Sequence, residues 1–274
     1  MMNLTIEHTT QYLYEKEVFL NPHHLRFHPA LREHIQLKSF KLDVTEEPEG
    51  LTQRIDAENN IYHQSWFSEK HKSLKIHAIS KVKVSELNPF YFLREEQDYM
   101  NQPELQIYLT PLTKLSTELQ EWVKTQSQIF GDDHMTLIGG INREISQKWA
   151  HKVRYQPGIL EPNECFKVAE ASCRDLCWMM MAALRHLHIP ARFVSGYAFN
   201  PEMEEGHELH SWVEAWISGA GWVGFDPVSG LFCNHFYIPL SASYHPKNTM
   251  PVIGSYGGDC ASTMNTELKI TLSL

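Results

Sequence analysis

Residues 173–187 form a segment with almost no polar face. Wound as a helix, it presents Leu176, Cys177, Met179, Met180, Met181, Ala183, Leu184 and Leu187 around nearly its whole circumference. A helix apolar on all sides has to be covered on all sides, so it belongs in the middle of a domain. Its start is marked by Ser172-Cys173-Arg174-Asp175 and its end by Pro190, which cannot continue a helix. The flanking chain supplies material for covering layers. Residues 112–128 and 137–152 read as helices; in the second, Leu137, Ile141, Ile145 and Trp149 recur every four residues, and Lys148 and Lys152 close the last turn. Residues 192–197 read as a strand, and 210–217 with 222–226 as a hairpin around Gly219 and Gly221.

The period changes before residue 85. Leu4, Ile6 and His8 alternate with polar neighbours, as do Phe40, Leu42 and Val44. Leu74, Ile76, Ala78, Ser80, Val82 and Val84 keep one parity along a whole strand length. Glu47-Pro48-Glu49-Gly50 and Glu58-Asn59-Asn60 mark turns between such runs. This predicts an antiparallel β-sandwich with one wet face. The periodicity fades between Asn88-Pro89 and Pro103, which divides the chain into a β-rich domain at 1–100 and a second domain at 101–274. Leu268, Ile270, Leu272 and Leu274 alternate again, as in a closing strand.

Composition narrows the functional classes. A net charge of −9 argues against nucleic acid as a partner, because phosphate binding wants a basic footprint. No apolar run approaches the ~20 residues of a membrane span. The first residues, Met1-Met2-Asn3-Leu4, lack a basic region followed by an apolar stretch, and five cysteines cannot all pair within one chain. A reducing cytoplasm is therefore the expected setting. The spacings His207–His210 and Cys233–His235 have no matching second pair, so neither a metal nor another cofactor is expected.

Cys173, His210 and Asp226 carry the chemistry. A thiol nucleophile needs a base within hydrogen-bond reach, and the base needs a third group to fix its tautomer. The helix start at Cys173 would stabilise a thiolate, and its backbone N–H could face the oxyanion of an acyl-transfer intermediate. Tyr155 and Gln156 are candidates for the second oxyanion donor. Trp212 is a candidate on the substrate side, against the plainer reading of Trp212, Trp216 and Trp222 as core aromatics. Asp175 reads as a charge partner of the helix start and Cys177 as packing. His210 and Asp226 share a face of the hairpin only if its loop is odd in length. A three- or five-residue loop is expected, placing Trp212 or Glu214 opposite Asp226.

The words Cys173-Arg174-Asp175, Ile189-Pro190-Ala191-Arg192-Phe193-Val194-Ser195-Gly196-Tyr197, His210-Ser211-Trp212-Val213-Glu214 and Gly221-Trp222-Val223-Gly224-Phe225-Asp226-Pro227 resemble the bacterial transglutaminase-like family of candidate cysteine proteases. Ile6-Glu7-His8-Thr9, Tyr12, Tyr14, Leu25-Arg26-Phe27 and Asp56 leading to Asn59-Asn60 resemble that family's N-terminal β domain. The resemblance implies an α+β protein, a β-sandwich followed by a papain-like core with a central helix on an antiparallel sheet. It implies a Cys-His-Asp triad at Cys173, His210 and Asp226, acting through a thioester on amide bonds of a peptide or protein substrate. Hydrolysis is the favoured outcome; transfer to an amine, or a silent binding module of the same fold, are the alternatives. A redox or metal protein using Cys173 and Cys177 is a further rival. Departures from the family pattern are Ser211 for the usual Ala, Val228 for Thr, Leu176-Cys177 for Phe-Ala, and Asn59 for Gly. None falls on the triad.

Overall fold

The computed structural model describes residues 1–96, 99–154, 158–203 and 207–273. Its first six strands are β1 (Met2–Leu20), β2 (His23–Leu25), β3 (Ile35–Thr45), β4 (Gly50–Ile55), β5 (Ile61–Trp66) and β6 (Lys70–Val84). β1, β6 and β3 are neighbours in one antiparallel sheet, and β2, β5 and β4 in a second. The period of two along β6 is realised as burial: Leu74, Ile76, Ala78, Ser80, Val82 and Val84 all point inward. That single inward row has two partners. Its first half packs with Tyr14, Val18 and Leu20 against Leu25 and Phe27, which closes the sandwich. Its second half packs with Leu4, Ile6 and Ile35 against Tyr197, Phe199, Ile238 and Leu240 of the second half of the chain.

The middle of the chain builds the layers around the apolar helix. Its elements are α1 (Gln106–Leu109), α2 (Thr117–Phe130), α3 (His134–Lys148), β7 (Ala150–His151), α4 (Pro162–Cys165), β8 (Glu170–Ala171) and α5 (Cys173–His186). α2 starts at Thr117 rather than 112, because the Ser116 hydroxyl accepts from the Leu119 N–H and caps it there. α3 stops at Lys148 rather than 152. Trp149 is already extended, and the next two residues form a parallel bridge with β8. α5 is the buried helix, and Leu176, Cys177, Met179, Met180, Ala183 and Leu184 are wholly inaccessible. Its one buried cation, Arg185, donates to the carbonyls of Ala191 (2.8 Å), Tyr244 (2.7 Å) and Thr110 (3.1 Å). Those bonds satisfy a group that would otherwise be costly to bury.

One side of α5 is covered by Leu119, Val123, Leu137, Ile138, Ile141 and Ile145 of α2 and α3, and the other by a sheet. The sheet comprises β9 (Ala191–Ala198), β10 (Leu209–Ile217), β11 (Gly221–Asp226), β12 (Leu231–Phe232) and β13 (Tyr237–Ser243), in the antiparallel order β12-β11-β10-β9-β13. β10 and β11 close with Ile217 opposite Gly221, leaving the odd, three-residue loop the sequence requires. Gly219 and Gly221 there have φ of +89° and +76°, a region open to glycine at little cost. The fold is the α+β arrangement of an N-terminal β layer and a helix-on-sheet core.

The chain then returns to its beginning. β14 (Val252–Ile253) pairs with β2, β15 (Tyr256–Gly257) with the end of β1, and β16 (Ser262–Ser273) with β1 over twelve positions. The pairings therefore run across the expected boundary at residue 100, because the apolar residues of β16 complete the N-terminal sheet. The turn at 56–60 seals the joint between the halves. Asn59 adopts φ +64°, the left-handed geometry that asparagine tolerates. The Asn60 amide then donates to the Ala242 carbonyl and accepts from its N–H, both at 2.8 Å.

Ile270 opposes Ile6 across β1 and β16 and is 2% exposed, whereas Leu272 is 58% exposed. Ile270→Ala should cost about 2–5 kcal/mol of stability by leaving a cavity. Leu272→Ala should stay within about 0.5 kcal/mol. Urea unfolding midpoints of the two variants check this; equal losses would contradict the placement of Ile270 in the core.

Candidate active site

Four buried or capped contacts fix where α5 begins. Asp175, at the third helical position and 0% exposed, accepts from the Ser172 N–H (3.0 Å) and the Ser172 hydroxyl (2.6 Å) through Oδ2. Its Oδ1 accepts from the Leu160 N–H (2.7 Å) and from Arg154 Nη2 (2.9 Å). Burial alone would raise this carboxyl, and the Ser172, Leu160 and Arg154 bonds outweigh it, holding Asp175 below the usual carboxylate range. Cys173 is thereby the first residue of the helix, and the residue as a whole is half-buried.

The sheet brings the other two groups. His210 lies near the start of β10 opposite Gly196 of β9, and Asp226 is the last residue of β11. The register Val213↔Phe225 continues to put Trp212 level with Asp226, so His210 and Asp226 share a face. Their contact is direct: His210 Nε2 and Asp226 Oδ2 are 3.0 Å apart. An ionised carboxylate only accepts, so Nε2 carries the proton and Nδ1 is left for the sulfur. Oδ2 also accepts from Tyr237 Oη (2.8 Å) and Ser229 Oγ (3.0 Å), and Oδ1 from the Val228 N–H (2.9 Å). Burial opposes ionisation of Asp226, but the bond to and charge of His210 outweigh it and keep the carboxyl below its ordinary value.

The thiol and the imidazole are displaced in opposite directions. Burial raises the Cys173 thiol, yet hydrogen bonds with His151 and His210, the His210 charge and the Ser211 hydroxyl bring it down to about 6. Burial lowers His210, yet its bonds to Asp226 and Cys173 push it up to about 10. Between those values the thiolate–imidazolium pair is the favoured state. Cys177, one turn along the same helix, has the opposite environment. It is fully buried, and burial pushes its thiol well above the ordinary range. Ser211 Oγ donates to its sulfur at 3.5 Å.

The remaining sequence candidates separate. Trp212 is 2% exposed and its ring packs against Tyr237 at 5.3 Å between centroids. The indole lies over Gly196, where an added Cβ would stand 2.6 Å from Trp212 Cη2. It lies on the same face of the sheet as His210 and Asp226 but has almost no surface for a substrate. Tyr155 and Gln156 fall outside the described residues. Three groups at the site escape the sequence reading. Tyr237 and Ser229 approach Asp226 from segments with no motif. His151 was absorbed into the last turn of a helix, although α3 ends three residues before it. Ser211 had a signal, as the residue that departs from the family pattern beside His210.

Two family models match the chain: the bacterial transglutaminase-like N-terminal region over residues 4–83, and the transglutaminase-like superfamily over residues 128–227. A solved structure described as a candidate cysteine protease from Cytophaga hutchinsonii superimposes over 99% of this chain and 90% of its own, with a TM-score of 0.77 at 17% identity. An uncharacterised protein of Mycobacterium leprae (strain TN) is 29% identical over 136 residues, 45% of this chain and 47% of that protein. The uncharacterised protein YebA of Bacillus subtilis (strain 168) is 33% identical over 77 residues, 24% of this chain and 10% of its own length. The chain thus spans less than half of either curated relative. The sandwich falls within the first match and much of the helix-on-sheet core within the second: the chain contains a transglutaminase-like core preceded by a bacterial transglutaminase-like N-terminal region.

Proposed function

We propose that the protein is a thiol-dependent acyl-transfer enzyme acting on amide bonds of a peptide or protein, with hydrolysis as its outcome. The observation that carries the reading is the ring of His210, engaged by Asp226 through Nε2 at 3.0 Å and hydrogen-bonded with the Cys173 sulfur. A thiolate lowered to about 6 is a nucleophile at neutral pH. It attacks the carbonyl carbon, an S–C bond forms, and the C=O π pair moves to oxygen. As the tetrahedral intermediate collapses, the C–N bond breaks and the imidazolium gives its proton to the departing amine. The neutral imidazole then takes a proton from water, which attacks the thioester. The S–C bond breaks, and thiolate and imidazolium are restored. Asp226 supports the imidazolium and holds its tautomer throughout.

Treating the purified protein with a thiol-directed activity probe and then with a peptide library tests the class. Cleaved products, with no gain in cleavage-free amine adducts when an amine is added, support a hydrolase; adducts that displace cleavage would instead identify a transamidase. Cys173→Ala should abolish turnover without unfolding the protein, while Cys177→Ala should retain most of it. Comparable losses would favour a two-cysteine redox role.

The partners of Cys173 should differ in severity. His210→Ala removes the group that handles the proton and should cost about 10²–10⁴-fold in kcat/KM. Asp226→Asn keeps the shape but not the charge, and its loss should exceed about tenfold. A silent Asp226→Asn variant would require another group to orient His210.

The pH dependence follows from the two displacements. The thiolate forms as pH rises through about 6, so alkylation of Cys173 by iodoacetamide should be half-maximal there rather than near the ~8.5 of a free thiol. The imidazolium persists up to about 10, so the ion pair should span that interval. His210→Ala should shift the lower limb upward. Identical limbs in wild type and variant would mean the two residues are not paired.

A further inference from the structure

β7 and β8 are two residues each, and their pairing places one side chain. Ala150 N–H donates to the Ala169 carbonyl (3.0 Å) and Lys152 N–H to the Ala171 carbonyl (2.9 Å), which sets His151 level with Ala171. Ala171 precedes Cys173 by two residues, so the bridge lays His151 beside the segment that delivers the nucleophile. The ring of His151 is solvent-exposed and hydrogen-bonded with the Cys173 sulfur. Cys173 thus has two imidazole partners from different elements. One, His210, is sunk in the sheet and locked by Asp226; the other stands at the surface, where a substrate has to enter.

The proton transfers of the acyl-transfer reading use only His210. They leave the oxygen of the tetrahedral intermediate with one identified donor, the N–H of Cys173. When the sulfur attacks, its negative charge passes to the carbonyl oxygen, which is bonded to the carbon the sulfur has just joined. An N–H that was bonded to the thiolate is then within reach of the charge in its new position, and a donor aimed at developing charge is the arrangement that lowers an acyl-transfer barrier. We infer that His151 is a further catalytic residue, the side-chain donor that stabilises the oxyanion together with the backbone N–H of Cys173. An imidazole carries at least one N–H in either protonation state, so the role is available across the working pH range. The hydrogen bond to Cys173 and the nearby Glu208 carboxylate both favour the charged ring, which strengthens the donor.

The inference rests on the acyl-transfer reading, and its test separates the two. The probe is p-nitrophenyl acetate, whose acylation burst is followed by stopped flow in wild type, Cys173→Ala, His151→Ala and His151→Gln. The same proteins are alkylated with iodoacetamide, and both reactions are followed from about pH 6 to 10 and compared on their high-pH plateaus, where the thiol is ionised. Alkylation forms no oxyanion, so it reports the nucleophile alone. His151→Ala should lower the acylation rate about a hundredfold while alkylating as fast as wild type or faster. His151→Gln, which keeps an N–H, should recover most of the burst rate. An undiminished burst in His151→Ala would overturn the inference, as would a parallel fall in alkylation, which would reduce His151 to a group acting on the sulfur. A wild-type protein with no Cys173-dependent burst would overturn the acyl-transfer reading itself, and this inference with it.

Discussion

The site depends on a buried carboxylate that stands apart from Cys173, His210 and Asp226. Asp175 has no accessible surface, and an unpaired carboxylate there would cost several kcal/mol. It is held by Ser172, Leu160 and Arg154, which tie together three separate stretches of chain at one point. That knot decides which residue is the first of α5. One residue of slippage would turn the Cys173 side chain by roughly a hundred degrees around the helix, away from His210. The apolar remainder of the helix then locks the direction of its axis, because a rod buried on every side cannot rotate without opening cavities on every side.

The two cysteines of α5 make the electrostatic logic visible. They share a helix and lie four residues apart, yet one thiol is brought down to about 6 and the other is driven well above the ordinary range. The polar difference between them is the company of His151 and His210. Cys173 faces both imidazoles, whereas Cys177 sees apolar neighbours, one hydroxyl from Ser211 and the charges of Cys173, Asp226 and Cys165. Burial acts on both in the same sense. What reverses it for Cys173 is a pair of donors held by secondary structure rather than by flexible loops.

Periodicity and parity made much of this legible in advance. The row from Leu74 to Val84 and the unpolar run after Cys173 each specify an element and a buried face, and parity alone demanded the odd loop between Ile217 and Gly221. Parity works because a strand has two faces and a hairpin couples them. What stayed hidden lies where local and long-range forces compete. The four-residue repeat through Trp149 extends the helical pattern toward Lys152, but the parallel bridge to Glu170 and Ala171 captures Ala150 and His151 first. The competitor is twenty residues away, so no local window contains it. Tyr237 was invisible for the same reason. The return of β16 to β1 had a pattern but no partner, since alternation announces a strand without naming its neighbour.

The N-terminal layer also bears on the chemistry through β13. Ile238 and Leu240 on that strand are buried against Leu4, Ile6, Val82 and Val84, and Ala242 is bonded twice to Asn60. Tyr237 is the first residue of the same strand, and its hydroxyl is 2.8 Å from Asp226 Oδ2. On the neighbouring strands, Glu214 accepts from Arg32 of the N-terminal half and from Arg192 of β9 at 2.7 Å. The N-terminal half thus holds the sheet at β13 and at Glu214 of β10. A carboxylate that must aim at one ring nitrogen needs its other donors fixed in space, and those donors sit on a strand whose position is set by packing against the sandwich. In this sense the β layer helps to build the candidate site: it holds the strand that holds the tyrosine that holds Asp226 toward His210.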